Sequence, residues 1–133
     1  TVSQMLRANI DFFARYSGAM SPQLIAELNG PGPFTLFVPQ DTFVTPAFDQ
    51  LSAARRDLTL RYHVARGTEL QSADFPPSVT LQTLASPQTV LLRTSAGQTL
   101  LTDATATAAN VIDVDFYASN GVIQVLDKVL VPR

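Results

Sequence analysis

The single histidine, His63, is the residue of this sequence that most invites a catalytic or metal-binding interpretation, because it alone titrates near neutral pH. A histidine-based triad would need a serine nucleophile on a sharp turn, and no Gly-x-Ser-x-Gly spacing occurs. An imidazole metal site would need a second histidine, and the absence of cysteine removes thiolate sites and thiol nucleophiles. We therefore expect no metal, no cofactor and no enzymatic activity.

Two aspartates, Asp113 and Asp115, stand two residues apart in the strand-like segment VIDVDF. Side chains at positions i and i+2 of a strand point to the same face, so the two carboxylates are expected to lie side by side. Charges in such an arrangement mostly belong to a solvated sheet face, where they contribute little to stability. We interpret this pair as surface residues and not as a catalytic or cation site.

The composition is typical of one folded domain. Of the 133 residues, 46% are hydrophobic and 15% are charged, which supplies a core and leaves little disordered character. The formal net charge is −2, and only Arg55 and Arg56 are adjacent among the basic residues, which argues against nucleic-acid binding. No apolar run approaches the roughly 20 residues that span a bilayer, so we expect no membrane insertion by this domain. We predict a single domain over residues 1–133.

The first half of the chain carries helical patterns. A helix is predicted from Ser3 as N-cap, and its apolar stripe consists of Met5, Leu6, Ile10, Phe13 and Ala14. A second helix is predicted from Ser21, with Pro22 at its first position and Gly30 after its end. A third is predicted over residues 52–64, with Ser52 as its N-cap.

Strand patterns dominate the second half. After an apolar strand at 34–39, short segments rich in Val, Leu and Thr predict strands at 79–84, 89–94, 98–103 and 109–118. A turn is predicted at residues 95–98, between two of them. Helices followed by a meander of antiparallel strands indicate an α+β domain.

Three segments, in their order, resemble the signatures of the fasciclin-type adhesion domain. Residues 32–43 (GPFTLFVPQDTF) are similar to the first signature, residues 60–64 (LRYHV) to the central Tyr-His motif, and residues 118–132 (ASNGVIQVLDKVLVP) to the last. One departure is Gln124, where the last signature often has histidine. The resemblance covers nearly the whole chain and implies a compact wedge of antiparallel β-strands packed with helices from the N-terminal half.

The resemblance also implies a function. It points to a non-enzymatic adhesion module, extracellular or at the cell surface (periplasmic in a bacterium), that binds a protein or extracellular-matrix partner such as an integrin-like receptor. The alternative is a secreted or periplasmic protein that binds a small apolar ligand or a glycan between the helices and the sheet. A large apolar cavity would favour the alternative, and a tightly packed core would favour adhesion.

The Tyr-His motif has two interpretations. The resemblance implies that it is an integrin-recognition element, which makes the partner-binding residues Leu58, Leu60, Tyr62, His63 and Val64. The other interpretation is structural: the tyrosine ring fills the core beneath the helix, and the histidine bonds a neighbouring strand. Apolar neighbours favour burial, and a buried ring cannot contact a partner without rearrangement. The extended loop at 69–79, with its two adjacent prolines, is a second candidate contact surface.

Asn120-Gly121 in the last signature predicts a two-residue hairpin turn, because both residue types accept positive φ. That turn would place Asp113 opposite Lys128 as an ion pair between the strands. It would also leave Asp127 as a carboxylate on an apolar face, which needs hydrogen-bond partners. We predict a β-bulge at Asp127-Lys128, with the Asp127 carboxylate held by backbone N–H groups.

Overall fold

The computed structural model describes residues 1–8, 16, 18–44, 46–106 and 108–132. Its helices are α1 (Val2–Ala8), α2 (Pro22–Leu28), α3 (Pro46–Asp49) and α4 (Ala53–Tyr62). Its strands are β1 (Phe34–Pro39), β2 (Val64–Arg66), β3 (Ser78–Gln82), β4 (Thr89–Ser95), β5 (Gln98–Thr102), β6 (Ala108–Ala118) and β7 (Gly121–Leu126). Short 3-10 turns occupy Asp41–Phe43 and Ser72–Asp74. The predicted α+β class is confirmed.

Two helices begin at the serines that the sequence identifies as N-caps. The Ser21 hydroxyl accepts a hydrogen bond from the backbone N–H of Leu24 at 3.1 Å. The Ser52 hydroxyl accepts one from the backbone N–H of Arg55 at the same distance, 3.1 Å. Each serine satisfies an N–H that the first turn of a helix leaves without an intrahelical partner. Both cap predictions are confirmed.

The cap predicted for α1 is wrong. The helix already includes Ser3, which is buried at 1% exposure. Thr1 provides the cap: its hydroxyl accepts from the Gln4 N–H at 3.2 Å, and its carbonyl accepts from the Met5 N–H at 2.9 Å. A threonine two residues earlier thus takes the role that Ser3 was expected to play. Of the predicted apolar stripe, Ile10, Phe13 and Ala14 lie outside the described residues.

The described strands form one sheet in the order β2-β1-β7-β6-β5-β4-β3. Neighbouring strands are antiparallel except β1 and β7, which are parallel. The sheet is curled, so that its outer strands β2 and β3 meet. Ala65 of β2 forms a bridge with Thr83, which follows β3, and the Leu84 N–H donates to the Val64 carbonyl at 3.0 Å. The parallel pair is a departure from the all-antiparallel arrangement that the resemblance implies.

Two apolar clusters lie on opposite sides of β1. Phe34, Leu36 and Val38 point toward α1 and α2, whereas Phe37 points into the curled sheet. This alternation follows from the two-residue period of a strand. All six residues of β1 and all six of β7 are buried, so both strands are covered on both faces. This central pair is the part of the sheet against which the helices pack.

The start of β7 fits closely against β1. Gly121 pairs with Phe34, and a Cβ atom at Gly121 would lie 2.2 Å from the Phe34 carbonyl oxygen. On the other side of the contact, a Cβ atom at Gly32 would lie 2.3 Å from the Asn120 carbonyl oxygen. No side chain fits at such separations, so both glycines are required by the approach of two backbones.

The predicted hairpin is therefore wrong: its turn lies one residue earlier than expected, which moves the partner of each following residue by two positions. The turn residues are Ser119 and Asn120, and Ala118 pairs with Gly121. The Asn-Gly pair suggested that Gly121 belongs to the turn, but this glycine is the first residue of β7 and serves the contact with β1. The register places Asp113 opposite Val125, so the predicted Asp113–Lys128 ion pair does not form.

Asn120 joins α1 and α2 to this hairpin. Its side-chain carbonyl oxygen accepts from the Val2 N–H at 2.8 Å, at the start of α1. Its amide group donates to the Leu28 carbonyl at 2.7 Å and to the Gly30 carbonyl at 2.8 Å, at the end of α2. These are backbone groups that a helix terminus cannot satisfy internally. One side chain therefore caps two helix ends.

The Asp127 carboxylate binds a neighbouring strand. It accepts the Asn110 backbone N–H at 2.7 Å and the Asn110 side-chain amide at 2.9 Å, while the Asp127 N–H donates to the Asn110 carbonyl at 3.1 Å. The prediction that a backbone donor holds Asp127 is confirmed. The bulge predicted at Asp127-Lys128 is wrong, because β7 ends at Leu126 and the register shifts lie in β6, between residues 111 and 116.

Replacing Asp127 by alanine is expected to lower the free energy of unfolding by about 1–3 kcal/mol, because the Asn110 N–H and amide lose their acceptor. Urea unfolding followed by circular dichroism measures the change. The matched control is Asp113→Ala: Asp113 is exposed, so its loss should stay within about 0.5 kcal/mol. Equal effects of the two substitutions would show that Asp127 does not hold the strands together.

Candidate functional site

The five residues predicted to bind a partner lie where α4 passes into β2. Tyr62 ends the helix, His63 is its C-cap and Val64 begins the strand. Leu60, Tyr62, His63 and Val64 are each at most 2% exposed, and Leu58 is half-buried. Their partner-binding role stays a prediction, and four of the five could meet a partner only after the fold rearranged locally.

Tyr62 packs inside the curled sheet. It belongs to the apolar cluster that also contains Phe37 and Leu92, and it is fully buried. Its hydroxyl donates to the Thr89 carbonyl at 2.8 Å, which satisfies the one polar atom of the ring. Since Thr89 begins β4, this bond ties the end of α4 to the far half of the sheet.

His63 links α4 to the segment that follows β7. Its Nδ1 lies 2.7 Å from the Thr59 carbonyl oxygen, and its Nε2 accepts the Leu130 backbone N–H at 2.9 Å. A carbonyl can only accept and an N–H can only donate, so the imidazole is neutral with its proton on Nδ1. The Tyr16 ring meets the imidazole edge-on, with 6.0 Å between the ring centroids.

This environment disfavours a charged imidazole. Burial lowers the pKa of His63 to about 4, and it outweighs the hydrogen bond to the Thr59 carbonyl and the negative charge of Asp103, which both act in the opposite direction. A histidine that is neutral throughout the physiological pH range and has both nitrogens occupied is not available as a general base. His63 has a structural role: its neutral imidazole joins the backbone of Thr59 to the backbone of Leu130.

The sequence led us to expect Asp113 and Asp115 on one solvated face of a strand. The structure shows that this prediction is wrong, because Asp115 is turned away from Asp113. A register shift lies between Asp113 and Phe116, and Asp115 has a φ of +66° within it. The Asp115 carboxylate accepts hydrogen bonds from the Ser72 N–H at 2.8 Å, from the Ser72 hydroxyl and from the Gln124 amide. Desolvation opposes its ionisation, but these hydrogen bonds prevail and hold the pKa of Asp115 below its usual value.

The same network anchors the loop at 69–79. The Gln124 amide also donates to the Leu70 carbonyl at 2.9 Å, and the Leu70 N–H donates to the Thr35 hydroxyl at 2.9 Å. Gln124, which stands where the resembling signature often has histidine, is thus fully buried and structural. The start of the loop is fixed to β1, β6 and β7, and Ala73, Asp74 and Pro77 are its exposed residues between Ser72 and the start of β3 at Ser78.

An apolar cleft of about 380 Å³ opens between residues 43–59 and residues 128–131. Its lining includes Phe43, Phe48 and Leu51 on one side and Val129–Val131 on the other. Thr59 and Leu130, the two residues that bond His63, also line it, so His63 lies directly behind the cleft. Sequence reasoning did not identify this cleft, although Phe43 belongs to the segment that resembles the first signature.

A second exposed apolar region follows β6. We refer to the side chains of Ile112, Val114 and Tyr117, which are 46%, 39% and 53% exposed, as the β6 strip. Three of the five large hydrophobic side chains that are exposed in the described part of the chain belong to it, and the other two line the cleft. In the sequence, Ile112 and Val114 alternate with aspartates, which indicates a strand. This pattern does not show which face of the strand is exposed to solvent.

Neither a metal-binding cluster nor a membrane-spanning helix is found among the described residues. No group of three or more His, Cys, Asp or Glu side chains within them is placed to hold a metal ion. Of the helices in those same ranges, none has the length and apolar character needed to cross a membrane.

Comparison with known proteins gives a consistent family assignment. The family model described as the fasciclin domain matches residues 11–132. Stabilin-1 of Mus musculus is 34% identical over 123 residues, which are 89% of this chain and 5% of that protein. Stabilin-2 of Rattus norvegicus is 28% identical over 125 residues, 90% of this chain and 8% of that protein. The chain therefore spans less than a tenth of the length of these relatives.

Among solved structures, a pair of FAS1 domains from the insect cell adhesion molecule fasciclin I has the same fold. The TM-score is 0.72 at 22% sequence identity, and the match covers 98% of this chain and 50% of that one. The half-chain coverage fits one domain of the pair.

Proposed function

This chain belongs to the fasciclin domain family, and we propose that it is a non-enzymatic adhesion module that binds a protein or matrix partner in the extracellular space or at a cell surface. The match of the family model to residues 11–132 carries the proposal. The likeness in fold to domains of an insect cell adhesion molecule supports it. The buried, neutral state of His63 also supports it, because the one imidazole of the chain cannot serve as a base.

The proposed contact surface is the β6 strip. Apolar side chains that remain exposed on a folded domain commonly mark places where a partner binds. In the described sheet, β5 pairs only with residues 108–110 of β6, so the strip extends past the end of its neighbour. A strand that projects in this way offers both backbone groups and side chains to an extended partner segment. Tyr117, the most exposed of the three, can contribute a large apolar contact and a hydroxyl.

The test is adhesion of cells, and of purified matrix proteins, to the immobilised domain. The double variant Ile112→Ser/Tyr117→Ser is expected to lose most of the adhesion, since a few aromatic and aliphatic anchors dominate interface energies. Its melting temperature should remain close to that of the wild type, because both side chains are exposed. Val131→Ser is the matched control: it removes a side chain of similar exposure, 42%, away from the strip.

A third variant, His63→Gln, separates the strip from the Tyr-His segment. It leaves the surface unchanged and weakens the interior, so at a temperature where circular dichroism shows a folded protein we expect normal adhesion. If His63→Gln abolishes adhesion while the double variant retains it, the contact runs through residues 58–64 and the strip is not the binding surface. If the folded wild type supports no adhesion to any cell or matrix protein, the proposed function is wrong.

A further inference from the structure

We propose that the apolar cleft is a binding site for a small amphiphile with an apolar body and an anionic head group, such as a medium-chain carboxylate. This inference goes beyond adhesion and rests on different residues. It also differs in place from the ligand site expected between helices and sheet, because the cleft lies between residues 43–59 and the segment at 128–131.

The size of the cleft selects a small ligand. Its volume is about 380 Å³, within the range of small-molecule sites. A cavity of roughly 150 Å³ accommodates benzene, so the cleft has room for about 12–15 non-hydrogen atoms on the same scale. A short alkyl chain with its head group fits this volume, and a folded partner segment would need a larger surface.

The lining selects an apolar body. Phe48 and Leu130 are buried and form the inner part, with exposed fractions of 6% and 1%. Phe43 and Val131 stand at the mouth, with exposed fractions of 37% and 42%. Water at such a surface is displaced favourably by an apolar group, and the two exposed side chains would lose their contact with solvent when a ligand binds.

The charges select an anionic head. Both charged residues of the lining, Arg55 and Lys128, are cations, and none of the lining residues is acidic. The Lys128 side chain is exposed, and no hydrogen bond or ion pair joins it to a described residue. The Arg55 guanidinium donates to the Pro132 carbonyl at 2.6 Å, which fixes its positive charge at the cleft. An anion at the mouth would gain from both charges.

The walls of the cleft are held before any ligand arrives. Thr59 lies on one wall and Leu130 on the other, and the imidazole of His63 bonds the backbone of both. The bond from Arg55 to Pro132 joins the same two walls again. Because the walls of a preformed site are already ordered, binding does not require the loss of their conformational entropy. This favours measurable affinity for a ligand of few atoms.

The experiment is calorimetric titration of the purified domain with decanoate below its aggregation concentration. We expect saturable binding at one site, and amide chemical-shift changes in NMR spectra concentrated at residues 43–59 and 128–131. The charge contribution is read from decyltrimethylammonium, which has the same chain and the opposite charge. It should bind several-fold more weakly than decanoate.

Two variants and one control test the residues. Ala47→Trp places a large ring in the cleft from an exposed position and should weaken decanoate binding about tenfold or more. Lys128→Glu should weaken decanoate binding by about fivefold or more and should improve binding of the cationic analogue. Arg93→Glu changes the net charge by the same amount at an exposed position on β4, outside the cleft, and should leave both affinities unchanged.

The proposal is overturned if the folded wild type shows no saturable binding of decanoate, or if Ala47→Trp binds it as well as the wild type does. It is also overturned if the two oppositely charged probes bind with equal affinity, because the cleft would then be an apolar surface without selection for an anion. Since none of these measurements uses a cell or matrix partner, their failure and the failure of the adhesion proposal are distinguishable.

Discussion

Replacing Gly121 by alanine is expected to lower the free energy of unfolding by more than about 3 kcal/mol, a large part of the stability of an ordinary domain. The added Cβ would lie 2.2 Å from the Phe34 carbonyl oxygen and 3.1 Å from a side-chain carbon of Val2. The carbonyl cannot turn away, because residues 34–39 pair in register with residues 121–126. The parallel pair at the centre of the sheet would have to separate. Urea unfolding followed by circular dichroism measures the loss.

Gly67→Ala provides the control. Gly67 has a φ of +79°, which disfavours alanine, but nothing lies within 4 Å of a Cβ atom placed there. We expect a loss of about 1–2 kcal/mol from backbone strain alone. Gly121 is not among the residues with positive φ, so its larger effect would be purely steric. A Gly121→Ala protein as stable as Gly67→Ala would mean that β1 and β7 do not approach each other as closely as described.

The sequence could predict those parts of the fold in which the interacting groups lie only a few residues apart in the chain. The caps at Ser21 and Ser52 depend on a hydroxyl and an N–H three residues away, and both formed as predicted. The turn predicted at residues 95–98 lies between β4 and β5 as expected, with Ala96 and Gly97 at its centre, at φ values of 51° and 79°. Alternation of Val, Leu and Thr placed the strands of the second half within one or two residues of their observed ends.

The register of the last hairpin could not be predicted because its cause is remote in sequence. Gly121 looks like a turn residue when it is read beside Asn120, but its role is set by Phe34, far earlier in the chain. The same holds for Asp115, whose partner Ser72 comes from a distant loop and holds it in a bulge. The displaced turn and the register shifts within β6 change the partner of every residue that follows, so Asp113 lies opposite Val125 and the predicted ion pair between Asp113 and Lys128 does not form.

The candidate site also has a part that the sequence predicts and a part that it does not. The sequence drew attention to Tyr62 and His63, and the structure brings them together with Thr59 and Leu130 in the interior. Burial was the favoured interpretation from apolar neighbours, but the identity of the histidine's partners was not predictable. The cleft is assembled from two segments that no local pattern connects, and the order of the strands brings them into contact.

Acidification is expected to destabilise the domain through His63. An unfolded chain binds a proton at this imidazole below its ordinary pKa near 6.5, whereas the folded protein, with a His63 pKa of about 4, does not. The stability contributed by the neutral imidazole is therefore complete above about pH 6.5, and it is lost as the pH falls toward 4. We expect a loss of about 2–3 kcal/mol between pH 7 and pH 4.5. For a domain of this size this corresponds to a melting temperature about 8–10 °C lower.

The main physical reason is burial, which disfavours the charged imidazole, and protonation would in addition place two donors against each other. Nε2 of the neutral ring accepts the Leu130 N–H, and a proton on Nε2 would oppose that N–H at 2.9 Å. His63→Gln, whose side-chain oxygen can accept the same N–H, should be less stable than the wild type at pH 7 and should lose much less stability between pH 7 and 4.5. Direct NMR titration of the imidazole in the folded wild type provides a measurement that needs no variant. An imidazole that titrates near 6.5 in the folded protein, or a melting temperature that stays constant from pH 7 to 4.5, would show that His63 does not hold the C-terminal segment as a neutral acceptor.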